Sequence, residues 1–168
     1  LPRAKGVPSQ EDVLALALAA EELAREVYRR AVAARPFRGP WAAYLEAALA
    51  QEEEHARRLR EALGRQPALR FRLPEVFQSP ILLLRLLESL EEAFVGAYLG
   101  ALPLLEGEAL RLAGAILGVE AGHRVLVRQA RLELQDPLLR PPFVANDRAL
   151  EQALSPEGAR EALKPYLP

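Results

Sequence analysis

The chain has 168 residues, enough for one globular domain with a core of its own. Its net charge of −1 excludes a dedicated nucleic-acid binder, which would present a basic face, and no apolar run reaches the roughly 18 residues of a membrane span. With no cysteine, disulfides, thiolate metal sites, iron–sulfur clusters and a cysteine nucleophile are excluded as well.

Four long helices are predicted. Ser9 opens the first, with Asp12 three residues later as its capping-box partner, and the helix runs to about Ala34 before Pro36 and Gly39. Pro40 suits the first turn of the second, which closes at Gly64. Ser79 caps the third, with Pro80 behind it, and Pro103 ends it. The fourth runs from about Gly107 to Asp136, where Pro137 stops it. No segment alternates with the period of a strand.

Connection lengths set the topology. Short turns join helices one to two and three to four, so each pair is antiparallel. Arg65 to Ser79 is rich in Pro and Phe and, extended, spans up to about 50 Å, enough to cross the length of a bundle. The expected fold is therefore all-α: one domain over residues 1–168, an antiparallel four-helix bundle over about 10–136 with a long crossover between helices two and three. The tail, 137–168, is expected to hold two short helices, one near Asp147 to Leu154 and one from Ser155-Pro156 to before Pro165.

Both histidines stand in the pattern Glu-x-x-His, as Glu52 with His55 and Glu120 with His123. Residues three apart share a helix face, so each pair can approach one ion. Helical phase puts them where core residues belong: Glu52 and His55 fall with Tyr44, Leu45, Ala48 and Leu59, and Glu120 and His123 with Ala113, Ile116 and Val127. The same phase selects one carboxylate from each adjacent pair on the other helices. Glu21 lies with Leu14, Leu18 and Tyr28, and Glu91 with Leu84, Leu87, Phe94 and Tyr98; Glu22 and Glu92 are read as solvated. Glu21 and Tyr28 recur as Glu91 and Tyr98, and Glu52 and His55 as Glu120 and His123, the pattern of a duplicated helix pair.

One Glu from each of two helices and a Glu-x-x-His from each of the other two is the ligand inventory of di-iron and di-manganese carboxylate bundles. Four ionised carboxylates in a bundle core are tolerable only beside cations, and oxygen and imidazole ligands suit iron or manganese. The expected metal ligands are Glu21, Glu52, His55, Glu91, Glu120 and His123, holding two Fe or two Mn ions. Tyr28 and Tyr98 lie too far along their own helices to reach those helices' carboxylates; they either pack in the core or hydrogen-bond a ligand from a neighbouring helix. Gly114, Gly118 and Gly122 on helix four, and Ser89, Ala93, Gly96 and Gly100 on helix three, form small-residue faces that either the crossover or tail covers or a second copy does, in a homodimer.

These residues resemble the ferritin-like superfamily, and more narrowly the bacterial ferritin-like domain family described as desiccation-related or exported. The closest match is Leu90-Glu91 through Val95-Gly96-Ala97-Tyr98-Leu99-Gly100-Ala101, then Ala115-Ile116-Leu117-Gly118-Val119-Glu120-Ala121-Gly122-His123, with Phe71-Arg72-Leu73-Pro74 resembling the crossover. Gly122 departs from the Arg often found there. The resemblance implies a dinuclear oxidoreductase acting on dioxygen or hydrogen peroxide, in the manner of a ferroxidase, peroxidase or catalase, with an external electron donor for peroxidase work because no rubredoxin-type cysteine module is present. It also favours an exported, periplasmic protein over a cytoplasmic one, and the absence of methionine fits a removed export signal. The alternatives are a non-enzymatic metal-binding or stress-related envelope protein, and a bundle scaffold with a vestigial site.

Overall fold

The computed structural model describes residues 6–168 and contains five α-helices: α1 Gln10–Ala34, α2 Pro40–Leu63, α3 Pro80–Ala101, α4 Gly107–Glu133 and α5 Pro156–Leu163. No strand occurs among the described residues, and none of their helices is long and apolar enough to cross a membrane.

The helix ends follow local chemistry. Ser9 accepts the Asp12 N–H while the Asp12 carboxylate accepts the Ser9 N–H, so two N-terminal donors are satisfied reciprocally. Gly64 closes α2 in the left-handed conformation at φ 70°, which a residue without Cβ adopts at no steric cost. Ser79 Oγ caps α3 at the Leu82 N–H. The end of α4 comes earlier than Pro137 alone suggests. Gln135 turns left-handed at φ 54°, and the Asp136 N–H bonds back to Arg131 O at 3.0 Å, the reverse turn that closes a helix before the proline is reached.

Cross-helix contacts fix the directions. Tyr28 meets Tyr44 while Glu22 meets Arg60, so α1 and α2 are antiparallel; Glu88 meets Arg128 while Glu92 meets Arg124, so α3 and α4 are too. Tyr28 reaches Glu91 and Tyr98 reaches Glu21, which makes α1 antiparallel to α3 and hence α2 parallel to α3. Parallel helices that follow one another in the chain need a connection running the length of the bundle, and residues 65–79 supply it. The crossover is anchored by Phe77, buried against the core, by Phe71 and Leu73 at its edge, and by Arg72 N–H donating to Tyr166 O at 2.7 Å.

The buried side chains form two apolar clusters. One gathers Leu23, Val27, Leu45, Leu84, Leu87 and Val127; the other gathers Leu14, Leu18, Leu59, Ala113 and Ile116. Between them along the helices lies a polar layer.

The tail differs from expectation in one element. Residues 147–154 are not helical, although α5 begins at Pro156 behind its Ser155 cap as expected. An α-helix would spend the Leu154 N–H on its own backbone, but here it donates to Gly96 O at 2.8 Å. Asp147 and Glu151 are likewise held by Arg124 of α4, and Asp147 also by Arg128. Tertiary partners outcompete the local turn. The tail thus covers the Gly96 and Gly100 face of α3, where a Cβ on either residue would collide with Leu154. On α4, no described atom lies within 4 Å of where a Cβ would stand on Gly114, Gly118 or Gly122.

Candidate metal centre

Each of the four long helices carries its acidic residue inward for one reason: the position falls in the apolar stripe of an amphipathic helix. Glu21, Glu52, Glu91 and Glu120 are at most 1% exposed, and His55 and His123 are buried beside them. All six residues selected by helical phase meet in the polar layer.

They meet as two overlapping groups. Glu21, Glu52, His55 and Glu120 offer ligand atoms within 4.8 Å of one another, and so do Glu52, Glu91, Glu120 and His123. Glu52 and Glu120 belong to both. His55 Nδ1 sits 3.2 Å from Glu21 Oε2, 3.3 Å from Glu52 Oε2 and 3.0 Å from Glu120 Oε1. His123 Nδ1 sits 3.0 Å from Glu52 Oε1, 3.7 Å from Glu91 Oε1 and 3.6 Å from Glu120 Oε2.

The hydrogen-bond pattern is incomplete in a telling way. Glu52 Oε1, Glu91 Oε2, both oxygens of Glu120 and His123 Nδ1 are buried without a hydrogen bond, and among the described residues no other buried side-chain atom lacks one. The 3.0 Å approach of His123 Nδ1 to Glu52 Oε1 does not have the alignment of a hydrogen bond. Leaving such groups unpaired is costly, on the order of 1–3 kcal/mol for each neutral group and more for charged ones. All the orphaned atoms are oxygen or imidazole nitrogen lone-pair donors converging on shared points. The donor set therefore fits a pair of bound cations.

Proton affinities carry the same message. Burial first, then the neighbouring Glu120 and Glu52 carboxylates, push the Glu21 and Glu91 carboxyls well above the usual range. Burial disfavours charge on His55, but the Glu120, Glu21 and Glu52 carboxylates close to its ring outweigh it and raise the imidazole to about 12. His123 rises to about 9 by the same contest with Glu120 and Glu52. Glu120, against its own burial, is drawn down to about 2 by His123 and His55. Without cations, the cluster neutralises itself with protons.

A surrounding layer orients these groups. Tyr28 Oη donates to Glu91 Oε1 at 2.5 Å, and Tyr98 Oη donates to Glu21 Oε1, each from the facing helix. Tyr28 Oη also lies 2.7 Å from Tyr44 Oη. His123 Nε2 pairs with Gln51 Oε1 at 2.7 Å; an amide oxygen only accepts, so Nε2 carries a ring proton and Nδ1 is the nitrogen that faces the cluster.

Several features escape sequence reading. Gln51 could have been found only by asking which polar neighbour of Glu52 faces α4. Arg124, next to His123, is fully buried and tied to Glu92, Asp147 and Glu151. No periodicity marks it, because its partners lie on α3 and the irregular tail. The reading of Glu22 and Glu92 as solvated is corrected by the structure. Glu22 is 7% exposed and paired with Arg25 and Arg60, and Glu92 is partly buried between Arg124 and Arg148. Helical phase located their faces but not the arginines of neighbouring elements that cover them.

Two openings flank the cluster. Between α2 and α4 a cleft of about 330 Å³ includes His55 in its wall and carries Glu54, Arg58, Glu108 and Arg111. On the opposite side, between α1, α3 and α5, lies a small apolar pocket with the Tyr98 ring in its wall.

A four-helix bundle with paired carboxylates and imidazoles across its core defines a class of protein whose interior is compatible with a di-metal carboxylate site. Residues 9–133 match the family model described as a ferritin-like domain. The chain belongs to that family. No curated protein matches it.

Proposed function

We propose that this protein holds two iron or two manganese ions in the polar layer and acts as an oxidoreductase on dioxygen or hydrogen peroxide. The observation that carries the reading is the set of buried, unpaired oxygen and nitrogen atoms, all of which lie in this one cluster among the described residues. Glu21, Glu52, His55 and Glu120 would hold one ion and Glu52, Glu91, Glu120 and His123 the other, with Glu52 and Glu120 common to both groups. Paired ions of this kind, when bound, would supply electron transfer to a small oxygen species.

The chain's own residues do the rest. Tyr98 and Tyr28 hold Glu21 and Glu91 in orientation, and a metal-bound carboxylate carries no proton, so both phenols must donate. Gln51 keeps the His123 lone pair available. The apolar clusters on either side exclude bulk water, which strengthens each electrostatic contact inside. With its own proton given to Glu91, Tyr28 Oη accepts from Tyr44 Oη at 2.7 Å, so a second hydroxyl holds the first in place. With no cysteine in the chain, electrons for peroxide reduction would come from an external donor. The reciprocal tyrosine contacts favour an origin by duplication of one helix pair, and the Leu90–Ala101 and Ala115–His123 stretches favour the exported, desiccation-related branch of the family.

Elemental analysis of protein purified without chelator tests this. About two Fe or Mn ions per chain are expected, as in di-metal carboxylate bundles. Peroxide or oxygen added to the reduced protein should then be consumed. One zinc ion per chain, or no metal, refutes the reading; metal uptake without consumption of either oxidant would make it a sequestering protein.

A further inference from the structure

The apolar pocket between α1, α3 and α5 includes none of the six acidic and imidazole side chains of the cluster in its lining. We infer that it is a dioxygen-binding site that delivers the gas to the metal centre past Tyr98, separately from the polar cleft at His55. The inference rests on the metal reading above for its destination, but not for the pocket's ability to take up a gas.

Three observations carry it. The first is size. The cavity is about 40 Å³. One water needs roughly 10–15 Å³, whereas a dry cavity that accepts benzene measures about 150 Å³. The pocket therefore has room for a diatomic molecule. The second is lining. Apart from the Tyr98 hydroxyl, the side chains around it are hydrocarbon, with alanines such as Ala17, Ala93, Ala97 and Ala159 leaving the space open between helices. A water there lacks the 2–4 polar partners it requires, so the pocket favours an apolar guest. Hydrogen peroxide, which must keep its hydrogen bonds, is disfavoured for the same reason.

The third is position. Ala17 precedes Glu21 by one turn of α1, and Phe94 follows Glu91 by one turn of α3, so the pocket borders the segments that carry both carboxylates. The Tyr98 ring forms part of its wall while the Tyr98 hydroxyl bonds Glu21 Oε1. Pro156, Ala159 and Leu163 of α5 line the outer side. The opposite cleft, with its rim of Arg and Glu, suits cations and polar oxidants. The two sides of the centre thus differ in chemistry.

The test uses xenon as a probe of dioxygen-sized apolar sites, on the full chain. Crystals of metal-free and metal-loaded protein under xenon pressure should both show the atom among Ala17, Ala97 and Tyr98. Ala97→Leu, which fills the half-buried pocket, should remove the xenon and slow reoxidation of the reduced metal-loaded protein by dioxygen about tenfold. Ala17→Leu is the second variant, in case Ala97→Leu fails to fold. Absence of xenon from the pocket of the metal-free protein overturns the inference, as does reoxidation at the parent rate in a variant shown to have lost xenon. Xenon in the pocket of a protein that holds no redox metal would leave the gas site standing and remove the metal reading, so the two failures are distinguishable.

Discussion

Tyr98→Phe removes one oxygen atom from the interior and leaves the ring, hence the packing of its apolar cluster, in place. In the parent, Tyr98 Oη donates to Glu21 Oε1, while Glu21 Oε2 faces His55 Nδ1 at 3.2 Å. Tyr98 and Glu21 are both buried, so water does not replace the lost donor. A buried hydrogen bond to a charged group is worth about 1.5–3 kcal/mol. At about 1.4 kcal/mol per tenfold, that predicts weakening of metal binding by about 10- to 100-fold, the range seen for residues that orient metal ligands. The effect should fall on one ion only, because Glu21 belongs to the His55 group and not to the His123 group. Calorimetric titration of metal-free protein with Mn²⁺ measures it: the parent should bind two ions, and Tyr98→Phe should retain one near parental affinity and weaken the other. Equal weakening of both ions, or no change, would refute the assignment of Glu21 to one end of the centre. Tyr28→Phe should weaken the other ion, acting through Glu91.

His55→Ala should remove most of the bound metal and Glu53→Ala, on the exposed face, should leave it, as elemental analysis of each will show; equal losses would defeat the face assignment. The metal-free protein should lose thermal stability with rising pH: the His123 imidazole is raised from 6.5 to about 9, so its stabilising charge is fully present below 6.5 and gone above about 9. Metal replaces that charge, so the loaded protein's melting temperature should not show this fall across the same window; melting curves with and without chelator decide it. Gly100→Ala should destabilise the fold by about 1–3 kcal/mol, because its Cβ would run into the Leu154 backbone, which cannot swing aside. Gly114→Ala meets nothing and should stabilise by about 0.5–1 kcal/mol. Denaturant melts of the two variants test the pair, and limited proteolysis should show the Gly100→Ala tail released.

The four rods, their pairing and the inward set of Glu21, Glu52, His55, Glu91, Glu120 and His123 are legible in the sequence, because they follow from local rules. Caps, prolines and a 3.6-residue period act within one helix and need no knowledge of its neighbours. What the sequence leaves undecided is whatever depends on the packing of one element against another. Whether Tyr28 and Tyr98 only pack or also hydrogen-bond was decided by the facing helices bringing Glu91 and Glu21 to their hydroxyls. The expected helix over 147–154 gives way because Gly96, Arg124 and Arg128 offer that segment better partners than its own backbone does. Glu22 and Glu92 look solvated on a helical wheel, yet Arg60, Arg124 and Arg148 from other elements cover them. The pocket beside Tyr98 is likewise a property of three helices together: alanine spacing on each is unremarkable alone, and only their packing turns missing side-chain volume into a pocket.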